Sequence, residues 1–218
     1  MNKSLTKKTN AIPVVIIAGG KSQRLRINGQ LKWQITFGQQ SLMQSIIDRI
    51  SQQSNNVLIN GSRNDENALN NYHLPVIYDL LPDYQGPLSG LLTSLDWARS
   101  NGADWVITMP CDTPFFPEDL VSRFQTTVNQ ADHQSNIKAA IARCDQHLHP
   151  IFGIWSPTLY KPLRQHLDQN GNRAINKWCK DFASKVDFPL LFRQDQRLDP
   201  FFNINNKDDY RKALQLLL

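Results

Sequence analysis

The sequence predicts an α/β fold, a single domain with a mostly parallel sheet flanked by helices on both faces. Three observations support this. Short β-branched apolar runs alternate with longer stretches whose apolar residues recur at helical spacing, the rhythm of strand–helix–strand units. Several of the strand-like runs close on glycine, asparagine or aspartate, residue types suited to the rim where α/β strands end and ligands bind. The length of 218 residues, with 40% hydrophobic and 20% charged content, suits one soluble domain with a sizeable core.

Residues 1–10, which include Lys3, Lys7 and Lys8, read as a disordered tail. "PVVIIAGG" (13–20) then reads as a buried strand bounded by Pro13 and Gly19. "SLMQSIIDRISQQ" places Leu42, Ile46, Ile47 and Ile50 on one helical face. "NNVLING" (55–61) and "LPVIYD" (74–79) are the next strands. "GPLSGLLTSLDWARSNG" is a helix opened by Gly-Pro and stopped at Gly102, with Leu88, Leu91, Leu92 and Leu95 as its stripe. "DWVITMP" is a strand leading to Cys111-Asp112, and "PEDLVSRFQTTV" a helix starting at Pro117. Past residue 130, "NIKAAIARC" and "HPIFGIWS" suggest a hairpin spanning "DQHL", followed by helices at 157–168 and 173–183. The last helix starts from an Asn206 N-cap with Asp209 three residues on. The expected organisation is one domain over 11–218, with a nucleotide-binding half (11–128) and an acceptor-binding half (129–218).

The stretch "VIIAGGKSQRL" (15–25) carries the first chemical signal. It is not a Walker loop, because Val15 stands where G-x-x-x-x-G-K-[ST] needs its first glycine. It is not G-x-G-x-x-G either, since Gly19 and Gly20 are adjacent and no third glycine follows in register. A Gly-Gly turn after a buried strand nevertheless lets backbone N–H groups approach an anion with no Cβ in the way. Lys21, Arg24, Arg26 and Lys32 follow closely, so the stretch reads as a phosphate clamp.

The net charge of +5 comes partly from the tail. No Lys/Arg block of five and no nucleic-acid motif is present, so no nucleic-acid partner is expected. The segment "AIPVVIIAGG" is too short and too interrupted for a signal peptide, and no run reaches membrane-spanning length; no membrane partner is expected. Cys111, Cys144 and Cys179 are odd in number and lack C-x-x-C spacing, as expected for reduced thiols in a cytoplasmic protein. The strand ends bring Gly19-Gly20, Asn60, Asp79 and Asp112 to one expected rim: a phosphate loop, an amide and two carboxylates.

With these pieces in order, the chain resembles the molybdenum cofactor guanylyltransferases, within the nucleotidyltransferase superfamily that shares a Gly-Gly signature loop. The resemblance rests on "IIAGGKSQRL" (16–25), Lys32, "LING" (58–61), "VIYD" (76–79), "GPLSG" (86–90), "PCDTPF" (110–115), "HPIFGIW" (149–155) and "FFNIN" (201–205). "PCDTP" together with "GPLSG" is the more specific part. The resemblance implies a Rossmann-like nucleotidyltransferase fold. It also implies transfer of GMP from GTP to molybdopterin, giving the guanine dinucleotide cofactor and pyrophosphate. Mg²⁺ would be the metal cofactor, and other cofactor-biosynthesis proteins and recipient molybdoenzymes would be further partners.

By the same resemblance, Arg24, Lys32 and Asp112 are the catalytic candidates, and Asp112 also ligates the metal. The nucleotide would be held at Ile17, Ala18, Gly19 and Gly20, where the N–H groups of the last three face phosphate, together with Lys32, Asn60, Asp79 and Asp112. Asn60 and Asp79 would recognise the nucleoside. His149, Arg173, Asn203 and Asn205 would face the acceptor; for His149 a structural role stands equally open. Cys111 and the five Trp residues read as packing groups.

The loop departs from the family pattern R-[FM]-G-x-D-K. Here "RLRINGQLK" puts Arg26 at the glycine and Leu31 before Lys32, and it is about two residues longer. Two other outcomes therefore stand beside guanylyl transfer: a related nucleotidyltransferase with another base or acceptor, such as cytidylyl transfer, or a degenerate pterin-binding relative.

Overall fold

The computed structural model describes residues 11–18, 30–81, 86–130, 137–170 and 174–217. The strands are β1 (Val14–Ile17), β2 (Thr36–Phe37), β3 (Gln40–Ser41), β4 (Val57–Gly61), β5 (Val76–Tyr78), β6 (Val106–Pro110), β7 (Ala139–Cys144), β8 (His147–Trp155), β9 (Ser184–Phe188), β10 (Leu191–Arg193) and β11 (Gln196–Leu198). The helices are α1 (Leu42–Ser51), α2 (Glu66–Asn70), α3 (Pro87–Ser100), α4 (Leu120–Gln130), α5 (Tyr160–Asn170), α6 (Ile175–Cys179) and α7 (Lys207–Gln215).

Seven strands form one sheet in the order β5-β4-β1-β6-β8-β7-β9. All run parallel except β8, which pairs antiparallel with both β6 and β7. β1 is central, with Ile17 in register with Asn60 on one side and Pro110 on the other. Its four residues are all buried, as a strand covered on both faces requires. Alternation along the pleat then sorts the core. Val14 and Ile16 join the face covered by α1, α2, α4 and α7, whereas Val15 joins the face covered by α3, α5 and α6. No helix among the described residues is long and apolar enough to cross a membrane.

The expected strands and helices are present, with some boundaries moved. The hairpin turn is Asp145–Gln146, tighter than "DQHL", and Asp145 takes a positive φ of 51°. The helix after Pro117 begins at Leu120. The helix expected over 173–183 is confined to Ile175–Cys179. The chain must turn at 180–183 to enter β9, which pairs parallel with β7 and lies at the sheet edge. Four small elements were not expected from the sequence: the short helix α2, β9 and the hairpins β2–β3 and β10–β11. The expected N-terminal tail lies outside the described residues.

α7 begins as its sequence suggests. Asn206 accepts from the N–H groups of Asp208 and Asp209, both at 2.9 Å, and Asp209 Oδ2 accepts in return from Asn206 N–H at 3.2 Å. This reciprocal cap satisfies N–H groups that the first turn would leave open. Replacing Asn206 with alanine is expected to cost about 1 kcal/mol. The thermal midpoint, followed by circular dichroism, should fall by about 2–4 °C for a chain of this size.

Candidate active site

The carboxyl ends of β1, β4 and β6 form the rim, and Lys32 comes to it from an unexpected direction. Residues Lys32–Gln34 form a single 3-10 turn. Trp33 and Ile35 are almost fully buried, and Trp33 meets Tyr72 edge-on at 5.9 Å. Locking Trp33 into the core leaves the neighbouring Lys32 directed along the rim, only 7% exposed. Its Nζ donates to Asp112 Oδ2 at 2.5 Å and to Asn205 Oδ1 at 3.0 Å.

Asp112 follows β6 and is held from several sides. Thr113 Oγ1 lies 3.2 Å from Asp112 Oδ1 and also donates to Asn203 Oδ1. The Asp112 carbonyl accepts from Ile204 N–H at 2.9 Å, which lays residues 203–205 beside the strand end. Asp209 Oδ2 accepts from Asn205 N–H at 2.8 Å, so the cap of α7 also fixes Asn205. Of the two asparagines in the "NIN" motif, Asn205 thus faces Lys32 and Asn203 braces Thr113.

The donor set suits a hard divalent cation. Asp112 and Asn205 already converge two oxygens on one small cation, the Lys32 ammonium. Among the described residues there is no group of three or more His, Cys, Asp or Glu that could hold a metal. Two oxygen donors of this kind suit a hard divalent cation that keeps waters and takes phosphate oxygens alongside its protein ligands. Asp112 and Asn205 are the residues that would hold it.

On the other side of β1, Asn60 Nδ2 donates to Asp79 Oδ1 at 3.0 Å and to the Ile77 carbonyl at 3.3 Å. Asn60 is fully buried, and both of its amide hydrogens are taken up within the protein. Asp79 is half-buried, and burial pushes its carboxyl above the ordinary aspartate range, partly offset by the Asn60 amide. Ala18 differs from expectation. Its N–H donates to the Asn60 carbonyl at 2.8 Å, so this amide belongs to the sheet and is not turned to a phosphate. Ile17 is buried inside the strand, its carbonyl accepting from Cys111 N–H at 3.3 Å.

His149 stands on β8 with Nε2 3.0 Å from Asp199 Oδ2. The ring stacks on Phe201, centroid to centroid 4.7 Å. Burial alone would raise the Asp199 carboxyl, but His149 and the Phe201 N–H bring it below the ordinary range. His149 therefore buttresses the segment that carries Asn203 and Asn205. Asp199 was missed in the sequence, where nothing marks "LDP" as more than a turn. Cys111 is buried beside Asp112, and burial pushes its thiol up to about 12, leaving it inert at neutral pH. Gly19, Gly20, Arg24 and Arg173, with the altered loop at Arg26, lie outside the described residues.

Comparison with known proteins identifies the family of the chain. Residues 14–183 match the model of the MobA-like NTP transferase domain. The molybdenum cofactor guanylyltransferase of Haemophilus influenzae is 36% identical over 94% of this chain and 99% of its own length. That of Nitrobacter hamburgensis is 32% identical over 93% and 92%. Among solved structures, the molybdopterin-guanine dinucleotide biosynthesis protein A of Archaeoglobus fulgidus superposes with a TM-score of 0.71. It covers 94% of this chain and 98% of its own at 17% identity, a likeness of fold. The match spans both the rim described above and most of the chain that builds it: this protein belongs to the MobA-like nucleotidyltransferase family.

Proposed function

We propose that the protein transfers GMP from GTP to molybdopterin, releasing pyrophosphate. The carrying observation is the Lys32–Asp112–Asn205 cluster at the rim of a chain whose relatives bear the guanylyltransferase name. In this reaction an acceptor phosphate oxygen bonds to the α-phosphorus of GTP, and the bond from that phosphorus to the bridging oxygen of pyrophosphate breaks. Two anions must meet, so catalysis is largely alignment and charge neutralisation, and no protein nucleophile is needed. Lys32 would exchange its bond to Asp112 for phosphate oxygens, and Arg24 would add charge from the loop. Asp112 and Asn205 would hold Mg²⁺, whose charge would offset that of the triphosphate.

The N-terminal half would bind the nucleotide and residues from 129 onward the acceptor, with Arg173 and Asn203 on that side. Asp79 would accept the N1 and N2 hydrogens of guanine. A base that cannot offer both would leave a buried acceptor without its partner, the kind of loss that discriminates strongly. Incubating the purified protein with Mg²⁺, molybdopterin and each nucleoside triphosphate in turn should yield the dinucleotide mass with GTP. A product formed with CTP in preference to GTP would overturn the assignment of the base.

Asp112→Asn is expected to abolish metal-dependent pyrophosphate release while the unfolding transition stays cooperative. Lys32→Ala should slow transfer at subsaturating GTP at least tenfold, because a charge-assisted bond of about 1.5–3 kcal/mol is lost; wild-type rates would remove Lys32 from the phosphate site.

Because burial raises the Asp79 carboxyl, it takes up its proton at a higher pH than an ordinary aspartate. The ionised acceptor is present at neutral pH and lost on acidification. GTP affinity, measured by calorimetry without acceptor, should therefore fall as pH drops, starting above the ordinary aspartate range, and the fall should be absent in Asp79→Ala.

A further inference from the structure

Asn203 and Asn205 are carried to the rim by chain that has no regular structure of its own. β11 ends at Leu198 and α7 begins at Lys207, and residues 199–206 between them form neither helix nor strand. A site residue on such a segment is only as well placed as the bonds that hold the segment. Asn205 is held from the α7 side, its N–H on Asp209 Oδ2 at 2.8 Å. Asn203 lies nearer the other end, and the anchor there is Asp199.

Asp199 gathers its contacts from three directions. Its Oδ1 accepts from Phe201 N–H at 2.8 Å and its carbonyl from Phe202 N–H at 3.0 Å, which closes a tight turn. Its Oδ2 lies 3.0 Å from His149 Nε2 on β8. The Cys144 thiol, at the end of β7, also bonds the carboxylate. Burial, and then the charges of Asp199 and Asp145, push that thiol up to about 11, so it stays protonated as a donor. The turn drives Phe201 into the core, where its ring packs on His149, Phe152 and Phe188 with centroids 4.7, 4.7 and 5.2 Å away. An apolar side chain at position 199 could fill the same space. It could not accept from the turn and from two strands at once.

The turn leads straight to Asn203, whose Oδ1 accepts from Thr113 Oγ1. Thr113 is wholly buried, so its hydroxyl proton must go to a neighbouring group. A hydroxyl has only one proton to give. Two oxygens compete for it: Asn203 Oδ1, the nearer, and Asp112 Oδ1 at 3.2 Å. With Asn203 in place, the proton goes to the amide and Asp112 Oδ1 keeps its lone pairs. The Ile204 N–H on the Asp112 carbonyl fixes the chain after Asn203, and the Asp199 turn fixes it before. Were Asn203 to withdraw, the hydroxyl would turn to Asp112 and occupy an oxygen that a divalent cation needs.

We infer that Asp199 is a positioning residue for the metal: pinned against His149, it sets Asn203, which draws the Thr113 proton away from Asp112 Oδ1. This inference rests on the reading of Asp112 as a metal ligand in a GTP-binding site, and the test separates the two. Mn²⁺ would be the probe, its free ion followed by electron paramagnetic resonance with GTP present and no acceptor. GTP affinity in EDTA would be measured by calorimetry. Asp199→Ala is expected to weaken Mn²⁺ binding about tenfold and to leave GTP affinity in EDTA unchanged. A merely structural role would lower both together. In a Thr113→Val background, Asp199→Ala should add no further loss, because the hydroxyl through which it acts is gone. Unchanged Mn²⁺ binding in Asp199→Ala, an equal loss of GTP affinity in EDTA, or a full further loss in the Thr113→Val background would overturn the inference alone. A wild type whose GTP affinity is the same in Mn²⁺ and in EDTA would overturn the metal reading and the inference with it. Asp199→Asn keeps an acceptor for the Phe201 N–H and so covers the case in which the alanine variant does not fold. It should weaken Mn²⁺ binding in the same direction, and a wild-type constant there would count against the inference.

Discussion

Lys32 Nζ sits between Asp112 Oδ2 at 2.5 Å and Asn205 Oδ1 at 3.0 Å, and these three residues come from distant parts of the chain. One ammonium therefore ties the turn after β1's loop, the exit of β6 and the approach to α7 into one rim. Removing one partner of such a mostly buried pair leaves the other charge uncompensated, which is far more damaging than the pair is stabilising. The surrounding bonds follow from this need. Trp33 fixes the turn, Thr113 and Asn203 brace Asp112, and Asp209 holds the backbone of Asn205.

The sheet supplies the rigidity on which that arrangement depends. Because β1 is buried on both faces and paired on both edges, its carboxyl end is a fixed point from which the strand ends of β4 and β6 are measured. Charge and amide chemistry then divide to its two sides: Lys32 and Asp112 beyond β6, Asn60 and Asp79 beyond β4. The division follows directly from strand order, since β1 stands between the two.

Much of this was legible in the sequence, and the losses have physical causes. Long periodic helices and buried β-branched strands were readable because each buries a continuous stripe, and Asn206 was readable because its cap is local. The β10–β11 hairpin was not, because its turn uses Gln194 and Asp195, both at positive φ, without glycine or asparagine to announce it. β9 is a five-residue edge strand whose short Lys-Val-Asp-Phe alternation carries little weight alone. In the site, residue identity was readable but direction was not. Asn60 and Ala18 stand at the rim as expected, yet the Asn60 side chain and the Ala18 N–H are both taken up within the protein. The partner of His149 was invisible because Asp199 is fifty residues away and marked by nothing local.

The reversed direction of β8 has a consequence for how this architecture can vary. A parallel strand starts at the far edge of the sheet and offers the rim only its last residues. β8 enters from the rim side, and its pairing with β6 covers only Val106–Thr108 against Gly153–Trp155. Its first residues, from His147, and the Asp145–Gln146 turn therefore stand beyond the end of β6 as a wall with β7, flanked by β9 as far as Cys144 against Phe188. Such a wall can be lengthened, shortened or re-lettered at its tip without shifting the register of any strand beneath it. The geometry separates a part of the protein free to drift in sequence from a part that must stay where the sheet puts it.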